Sequence, residues 1–192
     1  MSDFLDAFSE QTLHGLRTAV LSGVAENNRE IFPGLYLSWD PEEMETAPRY
    51  ESPDWATLSV AYTAKAAARW VSLNLVLADG RLDAGDVLGL VIEGYASENR
   101  SFPIRLRSKF DGVTADCDWT DSIELTIENG SSVALRTLEP KDEVVGKDGY
   151  HTLLIGLPPT EFSFTIRNMR LFRMPGSLGM RSEPETLSSF AT

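Results

Sequence analysis

Arg69-Trp70-Val71-Ser72-Leu73-Asn74-Leu75-Val76-Leu77 is the stretch that decides the fold class. Val71, Leu73, Leu75 and Leu77 fall on every second residue, with Trp70, Ser72 and Asn74 between them. That is the period of an extended strand with one apolar face. The same period returns downstream. Leu88, Leu90 and Ile92 alternate with Val91, Glu93 and Tyr95; Phe102, Ile104 and Leu106 alternate with Arg105 and Arg107. Phe162, Phe164 and Ile166 alternate with Ser163, Thr165 and Arg167. Further strand-like runs cover 57–63, 122–128, 132–138 and 150–157. Asp79-Gly80, Asp111-Gly112, Asn129-Gly130 and Asp148-Gly149 lie between or beside these runs and predict tight hairpin turns. No helical period interrupts the series after residue 54, which excludes parallel βαβ architecture. The expectation is an all-β fold: an antiparallel two-sheet sandwich, each strand turning one apolar face to a shared core.

Upstream the pattern changes. Phe4, Leu5, Phe8, Leu13, Leu16, Val20 and Val24 recur at spacings near three and four and predict a helix over 3–28. Ser2 or Asp3 would cap it, and Asn27-Asn28 would stop it. Such a helix either docks on its own domain or pairs with a second subunit to form a homodimer. Pro33, Pro41, Pro48 and Pro53, with Glu42, Glu43 and Glu45, make the next segment read as a long acidic loop with one short strand at 35–39. The chain thus divides into an N-terminal helix (1–30), an acidic proline-rich loop (31–54), a sandwich (55–174) and a flexible tail (175–192). Leu187 and Phe190 are the candidate anchors of that tail.

Seventeen Lys and Arg against 29 Asp and Glu give a formal charge of −12. Phosphate backbones and anionic membrane surfaces need clustered cations, so neither nucleic acid nor membrane is an expected partner. No run approaches the ~18 apolar residues of a membrane-spanning helix. The N-terminal stretch is acidic where a secretory signal is basic, so a cytoplasmic location is expected. Cys117 is the only cysteine, which rules out an intrachain disulfide and cysteine-based zinc sites. Two histidines far apart, His14 and His151, do not suggest a histidine-rich metal centre. Gly-x-Ser-x-Gly, the phosphate loop and the dinucleotide glycine turn are all absent.

Two carboxylate patterns stay open. Asp116, Asp118 and Asp121, following Asp111, supply hard oxygen ligands at a density that suits Ca2+, although their spacing is not that of an EF-hand. The same segment also reads as a solvated acidic hairpin. Glu93 with Glu124 is an example of a pair that a glycosidase requires, and their separation is a three-dimensional quantity. No residue is singled out as catalytic.

Collecting the outward phase of the strands gives Trp70, Asn74, Glu93, Tyr95, Arg105, Arg107 and Arg167. On one sheet they would form an aromatic and charged face of the kind that binds sugars. Pyranose C–H groups pack on aromatic rings, while Arg, Asn and Glu bond to paired hydroxyls. Trp39, Trp55 and Trp119 are candidate rim aromatics. A slip of one residue in strand phase would instead send Trp70 to the core.

Leu82-Asp83-Ala84-Gly85-Asp86-Val87-Leu88-Gly89-Leu90 is similar to the glycine-bearing entry to a central strand of the galactose-binding-like jelly-roll sandwiches. Phe162-Ser163-Phe164-Thr165-Ile166-Arg167-Asn168-Met169-Arg170-Leu171-Phe172 resembles their closing strand. This resemblance, to a group that includes many carbohydrate-binding modules, spans 55–174 and is one of pattern without a diagnostic motif. It implies a jelly-roll topology, non-catalytic binding of an oligo- or polysaccharide, and often a structural calcium at the sandwich edge. The missing secretion signal and the lack of an attached catalytic domain depart from that group. They favour an intracellular role, or a structural or protein-interaction module that binds no glycan.

Overall fold

The computed structural model describes residues 4–42, 44, 46–63 and 68–176. Among the described residues one helix, α1 (Phe4–Leu16), precedes twelve strands arranged in two six-stranded sheets, every strand pairing antiparallel. The first sheet runs in the order β1 (Ser22–Val24), β4 (Arg49–Glu51), β5 (Leu58–Tyr62), β12 (Phe162–Met174), β7 (Val87–Ala96) and β10 (Gly130–Thr137). The second runs β2 (Glu30–Phe32), β3 (Leu35–Trp39), β6 (Val71–Arg81), β11 (Asp148–Leu157), β8 (Arg100–Phe110) and β9 (Val113–Leu125). The all-β two-sheet sandwich expected from the alternation, with the jelly-roll topology that the resemblance implied, is the architecture found.

The inward phases are those the sequence predicts. Leu73, Leu75, Ile104, Leu106, Leu153 and Ile155 from one sheet meet Leu58, Val60, Leu90, Ile92, Phe164 and Ile166 from the other, all buried. The helix lies against β6 and β12 and buries Leu13 and Leu16 in the same core.

Several local expectations are corrected. The helix ends at Leu16 rather than near residue 28, and Ser22–Val24 is a strand. Residues 31–54 are not one loop around one strand, because Glu30–Phe32 and Arg49–Glu51 also join the sheets. The acidic stretch from Val113 onward is the first half of β9. Of the four hairpin dipeptides, Asp111-Gly112 turns as predicted, with φ of 50° and 76° between β8 and β9. Gly80 and Gly149 instead face each other inside the β6–β11 ladder. A Cβ on Gly149 would lie 2.8 Å from the Lys109 carbonyl oxygen, so this glycine serves close packing. The positive φ near Gly80 falls on Ala78 (68°), where Ala78 and Val76 pair with consecutive residues of β11 and Leu77 is the extra, bulged residue. The predicted cap at Ser2 or Asp3, and the tail anchors Leu187 and Phe190, lie outside the described residues.

Two buried polar clusters tie the strands together. Asp86, before β7, receives Arg173 Nε at 2.8 Å and the amides of Asp83 and Gly176 at 2.9 Å each. Arg173 and Asp86 keep only 8% and 2% of their side chains exposed, so each charge relies on the other. His151 is fully buried in β11. Its Nε2 lies 3.0 Å from the Gly80 carbonyl, which can only accept, so Nε2 carries the proton and Nδ1 accepts from Ser108 Oγ at 2.7 Å. Burial holds this imidazole below its ordinary 6.5.

Arg173→Leu leaves Asp86 charged and unpaired in the interior and should lower unfolding free energy by about 3–5 kcal/mol, read as a reduced urea midpoint. For His151, the unfolded chain takes up a proton near pH 6.5 and the folded chain does so only at lower pH. Its stabilising effect is therefore complete above 6.5 and lost as pH falls, by at most about 1.4 kcal/mol per pH unit. Urea midpoints at pH 7.5 and 5.5 should differ less in His151→Gln than in the native chain; an equal difference would rule out this origin.

Candidate functional site

The outward phase of the second sheet forms a groove of about 700 Å³. Registers across its strands set residues in rows. Tyr36 of β3, Asn74 of β6, Leu154 of β11, Arg105 of β8 and Asp118 of β9 make one row. Val76, Thr152, Arg107 and Asp116 make the next. Ser38, Ser72 and Gly156 lie on the other side of the first. Trp70, just before β6, stands towards one end; Tyr150, Lys109 and Thr114 stand towards the other. From Gly156 to Tyr150 the strand rise gives a length of about 20 Å.

The floor is polar and internally bonded. Asn74 Nδ2 donates to Ser38 Oγ at 2.8 Å and lies 3.4 Å from the Tyr36 carbonyl. Ser38 and Ser72 hydroxyls share a bond of 3.0 Å, and Ser72 Oγ lies 3.3 Å from Asn74 Oδ1. All three side chains are buried. Gly156 lets the Pro103 ring pack against the floor, since a Cβ there would come within 2.9 Å of that ring.

One wall is a ladder of charge. Arg107 grips Asp116 with two bonds of 2.8 Å, and Arg105 binds Asp118 through Nε and Nη2, with Nη1 3.3 Å from Asp116. Forked Arg–carboxylate pairs fix both partners in plane. The Arg107 hydrogen bonds hold the Asp116 carboxyl below the usual carboxylate range. Burial pushes the phenols of Tyr36 and Tyr150 up, which keeps both as neutral donors. Trp70 is 47% exposed and Tyr150 40%, so both rings offer surface to a ligand.

The structure therefore brings Trp70, Asn74, Arg105 and Arg107 into one groove. Asn74 serves as floor, because its amide is already engaged. Glu93 and Tyr95 of β7 and Arg167 of β12 belong to the other sheet and do not join them. Strand phase separates core from surface but carries no information about which sheet a strand enters. Asp116 and Asp118 face the groove arginines, whereas Asp121 accepts the amide of Leu135 in β10 at 3.1 Å. The three aspartates expected as calcium ligands thus do not converge. Among the described residues no group of three or more His, Cys, Asp or Glu is placed to hold a metal ion. Of the expected rim, Trp39 and Trp119 are core residues, and Trp55 lies beside Tyr95 on the opposite sheet. Tyr36, Tyr150, Thr152 and Lys109 were missed. Each occupies the outward phase of a strand-like run, so the signal was the same alternation that found Trp70.

No protein-family model matches the chain, and no curated relative matches it in sequence. Solved structures to which it is similar include a carbohydrate-binding module described as CBM4, at 15% identity over 74% of this chain and 96% of that one, TM-score 0.49. A cyclase from Fischerella sp. TAU, in complex with 4-(1H-indol-3-yl)butan-2-one, matches at 12% identity over 81% and 89%, TM-score 0.49. The N-terminal cellulose-binding domain of Cellulomonas fimi β-1,4-glucanase C matches at 16% identity over 73% and 89%, TM-score 0.45.

Proposed function

We propose that the groove of the second sheet binds a carbohydrate chain without transforming it. The observation that carries this reading is the pairing of exposed aromatics with a pre-positioned, charge-compensated arginine ladder over a bonded polar floor. Trp70 and Tyr150 offer π-faces to pyranose C–H groups. Arg105 and Arg107 present N–H donors at positions set by their aspartates to hydroxyl oxygens, Lys109 adds a further donor, and Asp116 and Asp118 accept from hydroxyl protons. Because Asp116 and Asp118 offset both arginines, the groove suits a neutral polyhydroxylated ligand better than a highly charged one. Its length and open form suit several sugar units laid along the strands. Both groove aspartates are held by arginine, which leaves no carboxylate pair there to act as acid and base, and this supports binding without hydrolysis.

Titration calorimetry against neutral β-glucan, galactan, mannan and xylan oligosaccharides should reveal a ligand at millimolar concentration or tighter. Trp70→Ala and Arg107→Ala should each weaken it roughly tenfold, about 1.4 kcal/mol, with urea midpoints close to the native value. Absence of any ligand from the panel, or variants that bind like the native chain, would refute the assignment.

A further inference from the structure

Tyr95 and Arg167 were read from the sequence as ligand residues, and the groove does not include them. Arg167 lines instead a second opening of about 600 Å³ on the far sheet, together with Arg17, Asp54, Trp55 and Asn168 among others, and Tyr95 is connected to it through its stack on Trp55. Trp55 is 53% exposed. One face of its indole lies on Tyr95, with ring centroids 6.1 Å apart and planes 14° from parallel. That stack orients the ring.

Arg167 arrives by an irregularity in β12. Ile166 pairs with Gly94 and Asn168 with Glu93, so Arg167 is an extra residue without a partner on β7. Such a bulge re-aims one side chain away from the regular alternation. It is locked from both sides. A Cβ on Gly94 would lie 2.2 Å from the Thr165 carbonyl oxygen, so only glycine permits this approach. Thr57 donates its amide to the Ile166 carbonyl at 2.9 Å and its hydroxyl to the Arg167 carbonyl at 2.8 Å. Thr57 in turn accepts the Ser52 hydroxyl at 3.0 Å, and Ala56 bonds back to Pro53 at 2.9 Å. The loop that carries Trp55 is therefore fastened to the bulge that carries Arg167.

The chemistry differs from that of the groove. Arg105 and Arg107 are matched by aspartates, whereas the Arg167 guanidinium has no hydrogen-bond or ion-pair partner among the described residues. Arg17 is held beside it, its Nη2 donating to Asn168 Oδ1 at 2.9 Å. Asp54 is the one acidic residue lining the opening. Two arginines line this one opening, on a chain whose formal charge is −12.

We propose that this opening is a second binding site, for a pyranose bearing an anionic substituent, carboxylate or sulfate. The sugar ring packs on the free face of Trp55, and the anionic group takes the forked donors of Arg167, with Arg17 adding charge. The site is independent of the groove and uses none of its residues.

Titration of the full chain with D-glucuronic acid, glucose 6-sulfate and D-glucose tests this, followed by amide chemical-shift changes. At least one anionic sugar should bind at millimolar concentration, more weakly as salt rises, while glucose should not perturb residues 54–57 or 167–168. Response to the glucuronate only, or to the sulfate only, identifies which anion is read. Arg167→Ala should weaken that binding about tenfold or more, Arg167→Lys less, and Trp55→Ala comparably to Arg167→Ala. Arg107→Ala should leave it unchanged, which separates this site from the groove. Equal shifts with glucose, native affinity in Arg167→Ala, or no binding of either anionic sugar would overturn the proposal.

Discussion

Burial of Leu73 and Leu75 in β6, Leu153 and Ile155 in β11, and Ile104 and Leu106 in β8 governs what the outer surface can present. Each of these side chains stabilises the fold by about 1.5–3 kcal/mol when removed from water. A slip of one residue in any of these strands would expose its whole apolar set. No hydrogen bond on the outer face could offset that loss, since a net gain of about 1 kcal/mol per bond is typical. Asn74, Thr152, Arg105 and Arg107 are therefore aimed by the leucines and isoleucines beside them in sequence. The groove is the other side of the core, and its precision derives from core packing.

The two openings use arginine in opposite ways. In the groove, exposed guanidinium–carboxylate pairs contribute little to stability. Their consequence is positional: Asp116 and Asp118 hold Arg107 and Arg105 in plane and cancel their charge, which leaves directional donors beside aromatic rings. At the far opening, Arg167 is oriented by the backbone bulge that bears it, and its charge is not offset. One sheet thus presents arginines matched by aspartates, and the other an arginine set by a backbone bulge.

Alternation made the inward phase of β6, β7, β8 and β12 legible, and with it the all-β fold and the outward set. It did not reveal sheet membership, because strands of both sheets have an outward face of the same period. Trp70, Asn74, Arg105 and Arg107 share a face through pairings of β6, β11 and β8 that link residues far apart in sequence. Glu93, Tyr95 and Arg167 match them in phase and differ only in where their strands dock. The charge ladder was within reach of local reasoning. With Asp111 and Gly112 at the two central positions of a hairpin, Phe110 must face Val113. Counting outward then sets Arg107 against Asp116, and, because a bulge near Pro103 comes only later, Arg105 against Asp118. Aspartates are poor strand formers, so the segment read as loop and the complementarity was hidden.

Bulges are where such readings break, and here they sit beside the places that matter. In β12 the buried residues run Phe162, Phe164, Ile166 and then Met169, a step of three where two is the rule. That step is the trace of Arg167 leaving the ladder, and it stands in the sequence without any structure. In β6 the apolar run through Val76 and Leu77 masks the corresponding step, so the positive φ was assigned to Asp79-Gly80 when it belongs to Ala78. An extra residue is thus visible only where its neighbours are polar enough to mark the phase. The arginine-bearing bulge meets that condition, because Thr165, Arg167 and Asn168 frame it.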